Sequence, residues 1–314
     1  MEADLLIATE EEANVRLDQV LTARFPDYSR TYFQSLIEKS LVLVNGALAK
    51  KATRLVAGDE IEVEFAATAE ISITPEAIPL DIIYEDAYLL AINKPVGMVV
   101  HPAVGNWTGT FVHALLYHCA LNLPTGSQTA SLRPGIVHRL DKETSGLLLA
   151  AKDEITQRRL VEAFAARQVY KEYRAICLGN PGSRRIEGNI GRHPVRRKEM
   201  AVLREGGRAA LTLCETLCYD NLFSYVRLIP YTGRTHQLRV HMRHVGFPIL
   251  GDPTYGNPSA NQKWGAKRQL LHAFSLRFTH PHTKEQIELK APLPQDIVKF
   301  AQQLRSHAPF DPKS

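Results

Sequence analysis

The sequence predicts an α+β fold in two parts, a small N-terminal unit and a larger mixed domain. Three observations carry that expectation. Within residues 14–67, apolar residues recur first at helical spacing and then at alternate positions. Residues 68–79 are rich in Ala, Thr and Pro and have no period, as a linker should be. From Leu80 to about residue 306, short strand-like apolar runs are interspersed with helical segments, and a polar tail follows at 307–314. A length of 314 residues accommodates two such domains.

In the first unit, Leu17, Val20, Leu21 and Phe25 define a helix that Pro26 ends. Ser29 is a good N-cap for a second helix with Phe33, Leu36 and Ile37 on its apolar face. Leu41 to Val44 reads as a strand closed by the turn signal Asn45-Gly46. Gly58-Asp59 leads into Ile61 to Phe65, which alternates apolar and charged residues. In the second unit, Ile82 to Tyr84, Tyr88 to Asn93, Leu147 to Ala151, Glu172 to Cys177, Ala209 to Glu215 and Ser224 to Pro230 read as strands. Thr110 to Cys119 and Glu154 to Gln168 read as helices, and Thr235 is placed to cap another that carries Leu238, Met242 and Val245.

Hydrophobic residues at 45% and charged residues at 23% are those of an ordinary globular chain. A formal charge of +5 fits a nucleic-acid partner without requiring one. Met1 to Glu12 is acidic and lacks the basic start and apolar run of a secretion signal. No run approaches the ~18 apolar residues of a membrane span. Cys119, Cys177, Cys214 and Cys218 form no CxxC pair and read as small buried residues in a reducing, cytoplasmic compartment.

Asp141 stands in a polar loop between two apolar runs, Gly135 to Val137 and Leu147 to Ala151. Such a carboxylate can be a nucleophile, a base or a metal ligand. From spacing alone a turn residue or helix cap is the commoner reading. Glu143 lies too close in sequence to act as the second carboxylate of a glycosidase. No Gly-rich phosphate loop or nucleotide-cofactor fingerprint accompanies the loop. His236, His241 and His244, and the pair His280 and His282, match no metal-binding spacing, so no metal is expected.

Four segments, "NKPVGMVVHPAVGNWTGTFVHALL", "RPGIVHRLDKETSGLLLAAK", "TGRTHQLRVHMRHVGFPILGDPTYG" and "LLHAFSLRFTHPHT", resemble, in order, the motifs of the RluA-type pseudouridine synthases. "VRLDQVLTARFPDYSRTYFQSLIEKSLVLVNG" resembles the S4 RNA-binding module, and "NIGRHPVRRKEMAV" resembles the RluD-like branch, which acts on large-subunit ribosomal RNA. The resemblance implies a mixed, mainly antiparallel catalytic sheet behind the S4-like unit. It implies isomerisation of uridine without a cofactor, on ribosomal RNA or an assembling large subunit, by a monomer away from membranes. It implies that Asp141 is the nucleophile, that Tyr173, in the family-like stretch "YKEYRAI", stacks on the base or moves a proton, and that Arg239 pairs with the aspartate. Arg139 matches the basic residue that helps displace the target nucleotide. His138, Arg234 and His236 lie in the same motifs and are candidate RNA contacts, as are Arg30 and Lys39 of the S4-like unit. Arg184, Arg185, Arg192, Arg196, Arg197 and Lys198 form a basic run that reads as a phosphate clamp or a solvated loop. Five phosphate contacts there would give a log–log salt slope near about −3.5. A catalytically idle RNA-binding or ribosome-assembly factor could use the same surfaces. A nucleoside hydrolase is a third reading, and the presence of Asp141, Tyr173 and Arg239 together favours the isomerase.

Overall fold

The computed structural model of the protein describes residues 4–26, 28, 30–50, 52–65, 74–102, 106–119, 135–196 and 199–304. Two compact units divide between Thr74 and Pro75. The first contains β1 (Asp4–Ile7), α1 (Leu17–Arg24), α2 (Arg30–Glu38), β2 (Val42–Val44), β3 (Ala47–Leu48) and β4 (Glu60–Val63). Its antiparallel sheet runs β1-β4-β2-β3. Leu17 and Leu21 of α1, with Phe33 and Leu36 of α2, pack on Val42, Ile61 and Val63. Asn45 and Gly46 have φ of 51° and 71° and join β2 to β3 as a two-residue hairpin turn. The expected strand to Phe65 stops at Val63. β1 precedes Asn14, outside the bounds read from sequence. It is held by its backbone ladder to β4 while Leu5 and Ile7 stay exposed, so no burial pattern announces it. Ser29, expected to cap α2, lies outside the described residues.

The second unit contains β5 (Ile82–Glu85), β6 (Leu89–Lys94), α3 (Phe111–His118), β7 (Ser145–Ala151), α4 (Glu154–Ala165), β8 (Tyr170–Leu178) and β9 (Arg184–Arg192). β10 (Met200–Leu203), β11 (Arg208–Tyr219), β12 (Phe223–Pro230), α5 (Gln237–His244), α6 (Pro258–Lys263), β13 (Leu271–Thr279), β14 (Gln286–Lys290) and α7 (Gln295–Gln303) follow. The sheet order is β10-β9-β11-β12-β8-β13-β7-β6-β5, with β14 also on β13. Among the described residues only the β13–β7 pairing is parallel, so the sheet is mixed and mainly antiparallel.

Alternation along β8 decides what covers each face. Ala175 and Cys177 pack with Leu238 and Met242 of α5. Ile176 points the other way, with Ile297 and Phe300 of α7. β7 is buried along its whole length, as a central strand requires. Asp153 caps α4 by accepting the Thr156 N–H at 2.8 Å. Cys177 and Cys214 are buried as expected, whereas Cys119 and Cys218 are only half-buried.

Two segments differ from the sequence reading. Gly135 to Val137 makes a single bridge, Ile136 to Ala150, instead of a strand. Much of the basic run is a strand: in β9 the buried Ile186 and Ile190 share one face, a period that the surrounding arginines hide. Gly146, where β7 meets β13, has φ 108°, and a Cβ there would strike the Ala273 backbone. Gly146→Ala should therefore lower stability by about 2–4 kcal/mol, from backbone strain plus overpacking. An unchanged urea midpoint would show that the strands can part without loss.

Candidate active site

The loop that carries Asp141 is fastened through its backbone. Thr144 N–H donates to the Asp141 carbonyl at 3.0 Å, and Gly97 N–H donates to the Lys142 carbonyl at 2.9 Å. The fully buried Lys94 ammonium donates to the carbonyls of Pro95, Met98 and Lys142 at 2.8, 3.0 and 3.1 Å. Burial pushes its pKa down to about 7, against the opposing pull of Glu143 and Asp141. Arg268, anchored on Asp296, donates to the Glu143 carbonyl at 3.1 Å. Three consecutive carbonyls are thus satisfied, and the side chain of Asp141 is left to face a cleft of about 500 Å³.

Across the cleft, the α5 entrance is organised by Gln237. Its Oε1 accepts from Thr232 Oγ1 and Arg234 N–H, and its Nε2 donates to the Leu211 carbonyl and Thr212 Oγ1. Thr235 does not cap α5. His236 takes the N-cap position with φ 56°, because Gln237 closes the turn that Thr235 was expected to close.

Two residues into α5, Arg239 is buried and holds two carboxylates at once. Its Nε and Nη2 donate to Asp252 at 2.6 and 2.9 Å, and its Nη1 donates to Asp141 Oδ2 at 2.9 Å. The guanidinium lies over the Tyr255 ring, 5.0 Å from its centroid. Burial opposes its charge, but hydrogen bonds and charge from Asp252 and Asp141 raise its pKa. Asp141 Oδ1 faces the cleft with His236 Nε2 4.0 Å away, and burial lowers the pKa of that imidazole. The half-buried Tyr173 lines the same cleft, and burial and then the charge of Asp141 raise its pKa. Tyr173 is therefore a neutral phenol at physiological pH.

A family model described as RNA pseudouridylate synthase matches residues 88–244, and an S4 domain model matches residues 15–61. The ribosomal large subunit pseudouridine synthase D of Neisseria meningitidis is 43% identical over 312 residues, covering 96% of this chain and 82% of that protein. The Escherichia coli K12 protein of the same name is 38% identical, covering 95% and 93%. A solved structure, human RNA pseudouridylate synthase domain containing 1, superposes with a TM-score of 0.56 at 27% identity, covering 75% of this chain and 98% of that one. The chain belongs to the RNA pseudouridylate synthase family.

In this family member, the structure gathers Asp141, Tyr173, Arg239, Arg139, His138, Arg234 and His236 around one cleft. The basic run is not gathered there. Arg184 stacks on Phe247, Arg185 pairs with Glu187 and Arg196 pairs with Glu199. Arg192 is exposed on β9, and Arg197 and Lys198 lie outside the described residues. Within the S4 unit, Arg30 donates to the buried Asp18, together with Arg16 and Gln34, while Lys39 is exposed.

Sequence reasoning missed Asp252, Tyr255 and Lys94. All three lie inside quoted motifs, but an aspartate after glycine or a lysine before proline reads first as turn chemistry. His138 also differs from expectation. Its Nε2 accepts the Leu149 N–H at 2.9 Å and its ring stacks on Phe164, so it fastens the loop to β7. Burial pushes its pKa down to about 3, and those of His241 and His272 to about 4. The unfolded chain therefore binds protons below about pH 6.5 that the folded chain does not. The stability held above that pH should fall progressively toward pH 4. Each histidine accounts for at most about 2 kcal/mol between pH 7 and pH 5. Equal urea midpoints at those two pH values would contradict this.

Proposed function

We propose that the chain converts specific uridines of large-subunit ribosomal RNA to pseudouridine, with Asp141 as the nucleophile. The observation that carries this reading is the Asp141–Arg239 pair, with one carboxylate oxygen held at 2.9 Å and the other turned to the cleft. A carboxylate kept ionised and oriented in this way suits formation and release of a covalent adduct. In the isomerisation the N1–C1′ bond breaks, a C5–C1′ bond forms, and the proton lost from C5 is balanced by one gained at N1. No cofactor is needed. Tyr173 fits as a neutral phenol that stacks on the uracil or donates a proton, and Arg139, exposed at the rim, fits as the side chain that displaces the nucleotide. The names of the relatives support the large-subunit substrate, and a cytoplasmic location is part of the same proposal. The residues that line the cleft come from one chain, which suits a monomer.

Residues 14–67 are proposed as an S4-like RNA anchor, in which Lys39 and Arg30 meet phosphates, joined by a linker at 68–79 to the catalytic domain at 80–306. The test is incubation with large-subunit RNA lacking pseudouridine, either free or in precursor particles, followed by carbodiimide mapping. New stops at discrete uridines are expected, without free uracil. Release of uracil would indicate a hydrolase. RNA binding without any modification would indicate an assembly factor.

A further inference from the structure

The cleft has an unbalanced lining. Arg139, Arg167, Lys171, Arg208, Arg234 and Arg239 line it, and Asp141 is the one carboxylate among its described lining residues. Arg239 is consumed by Asp141 and Asp252. Among the described residues, the side chains of Arg139, Arg167, Lys171 and Arg208 have no hydrogen-bonding or ion-pair partner, and Arg234 has only the Ala209 carbonyl. Charged side chains on an ordinary surface find local partners, as Arg185 does in Glu187 and Arg196 in Glu199. Here the cations crowd one another. Lys171 is held below its ordinary pKa by burial and by Arg167, and Arg234 by burial, Arg208 and Arg167.

Arg167 adds an independent observation. α4 ends with Arg167 N–H on the Phe164 carbonyl and Gln168 N–H on the Ala163 carbonyl, and Arg167 itself has φ 61°. That left-handed position after a helix is one that glycine fills without strain. An arginine there costs conformational energy and gains no internal partner. Strain kept at such a site points to what the side chain does. The chain provides its own comparison in Lys284, which has φ 65° but lies off the cleft and donates to the Pro281 carbonyl.

We propose that Arg167, Lys171 and Arg208 form a phosphate-binding rim that grips the RNA backbone flanking the flipped uridine, with Arg167 as its anchor. The inference rests on the pseudouridine synthase reading. It moves the electrostatic clamp from the basic run of residues 184–198 to the cleft mouth. Three cations without protein anions can each take a phosphate oxygen, and release of condensed counterions makes the grip salt-dependent.

Arg167→Gly separates this role from a structural one. It removes the strain, so the melting temperature should hold or rise. With an RNA fragment that the unmutated protein modifies, Kd should rise about tenfold at low ionic strength. The log–log salt slope should become shallower by about 0.7–0.9. Lys171→Gln should give the same change in slope. Lys284→Gly relieves the same strain and removes the same charge away from the cleft, and its Kd and slope should match those of the unmutated protein. An unchanged Kd and slope for Arg167→Gly, or an equal change in Lys284→Gly, overturns the rim. If the unmutated protein forms no pseudouridine in that RNA, the functional reading itself fails, whatever the salt slopes show.

Discussion

Asp141→Asn should abolish pseudouridine formation while leaving the protein folded and able to bind RNA. The amide keeps the size of the carboxylate and can still accept from Arg239 through its oxygen. It cannot form and release the covalent adduct, so the single-turnover rate should fall by about 10⁴-fold or more. Folding should be nearly untouched, because Asp141 is partly exposed and Arg239 retains its bidentate bond to Asp252. Losing one of two carboxylates around a single guanidinium also removes like-charge repulsion. The checks are single-turnover kinetics on modified-site RNA, a thermal melt and a binding isotherm. Residual activity above about 1% of the unmutated rate would remove Asp141 from the nucleophile's role.

How much of this was legible beforehand depended on the kind of signal. Periodicity located α1, α2 and α4 to within a few residues, since each buries one face and exposes the other, and an apolar run located β8, which is covered on both faces. It could not assemble the sheet. The β13–β7 pairing joins residues more than a hundred apart, and its sign is written in Gly146 and its close approach to Ala273, which looks like an ordinary loop glycine in sequence. The arginines around Ile186 and Ile190 made a strand read as a solvated stretch. At the site, Asp141, Tyr173 and Arg239 were named because they carry chemistry within motifs. The supporting groups were not, because their work is done through backbone carbonyls and buried pairs that have no sequence period. Lys94 acts on the carbonyl of Lys142, and Asp252 acts on the far side of Arg239. Arg167 shows the same limit from the other side, since nothing in the string marks a left-handed residue at the end of α4.

Arg239 should matter to the stability of the fold as well as to the site. Arg239→Ala leaves the buried Asp252, among the described residues, with the N–H groups of Thr254 and Tyr255, at 2.8 and 2.9 Å, to meet its charge. Breaking a buried pair from one side costs about 3–5 kcal/mol. Such a loss is a large fraction of the 5–15 kcal/mol typical of a domain, so a sharply lowered urea midpoint is expected. Arg239→Lys tests the geometry apart from the charge. A lysine supplies one point charge where the arginine fork spans two carboxylates, so it can neutralise Asp252 or orient Asp141 but not do both. The buried, multiply bonded Asp252 is the stronger attractor. The expected result is a protein more stable than Arg239→Ala whose rate is still reduced by about 10²-fold, because Asp141 is left free to rotate away from the attacking pose. If Arg239→Lys turned over at the unmutated rate, simple charge balance would suffice, and the fork shared between Asp141 and Asp252 would carry no catalytic weight.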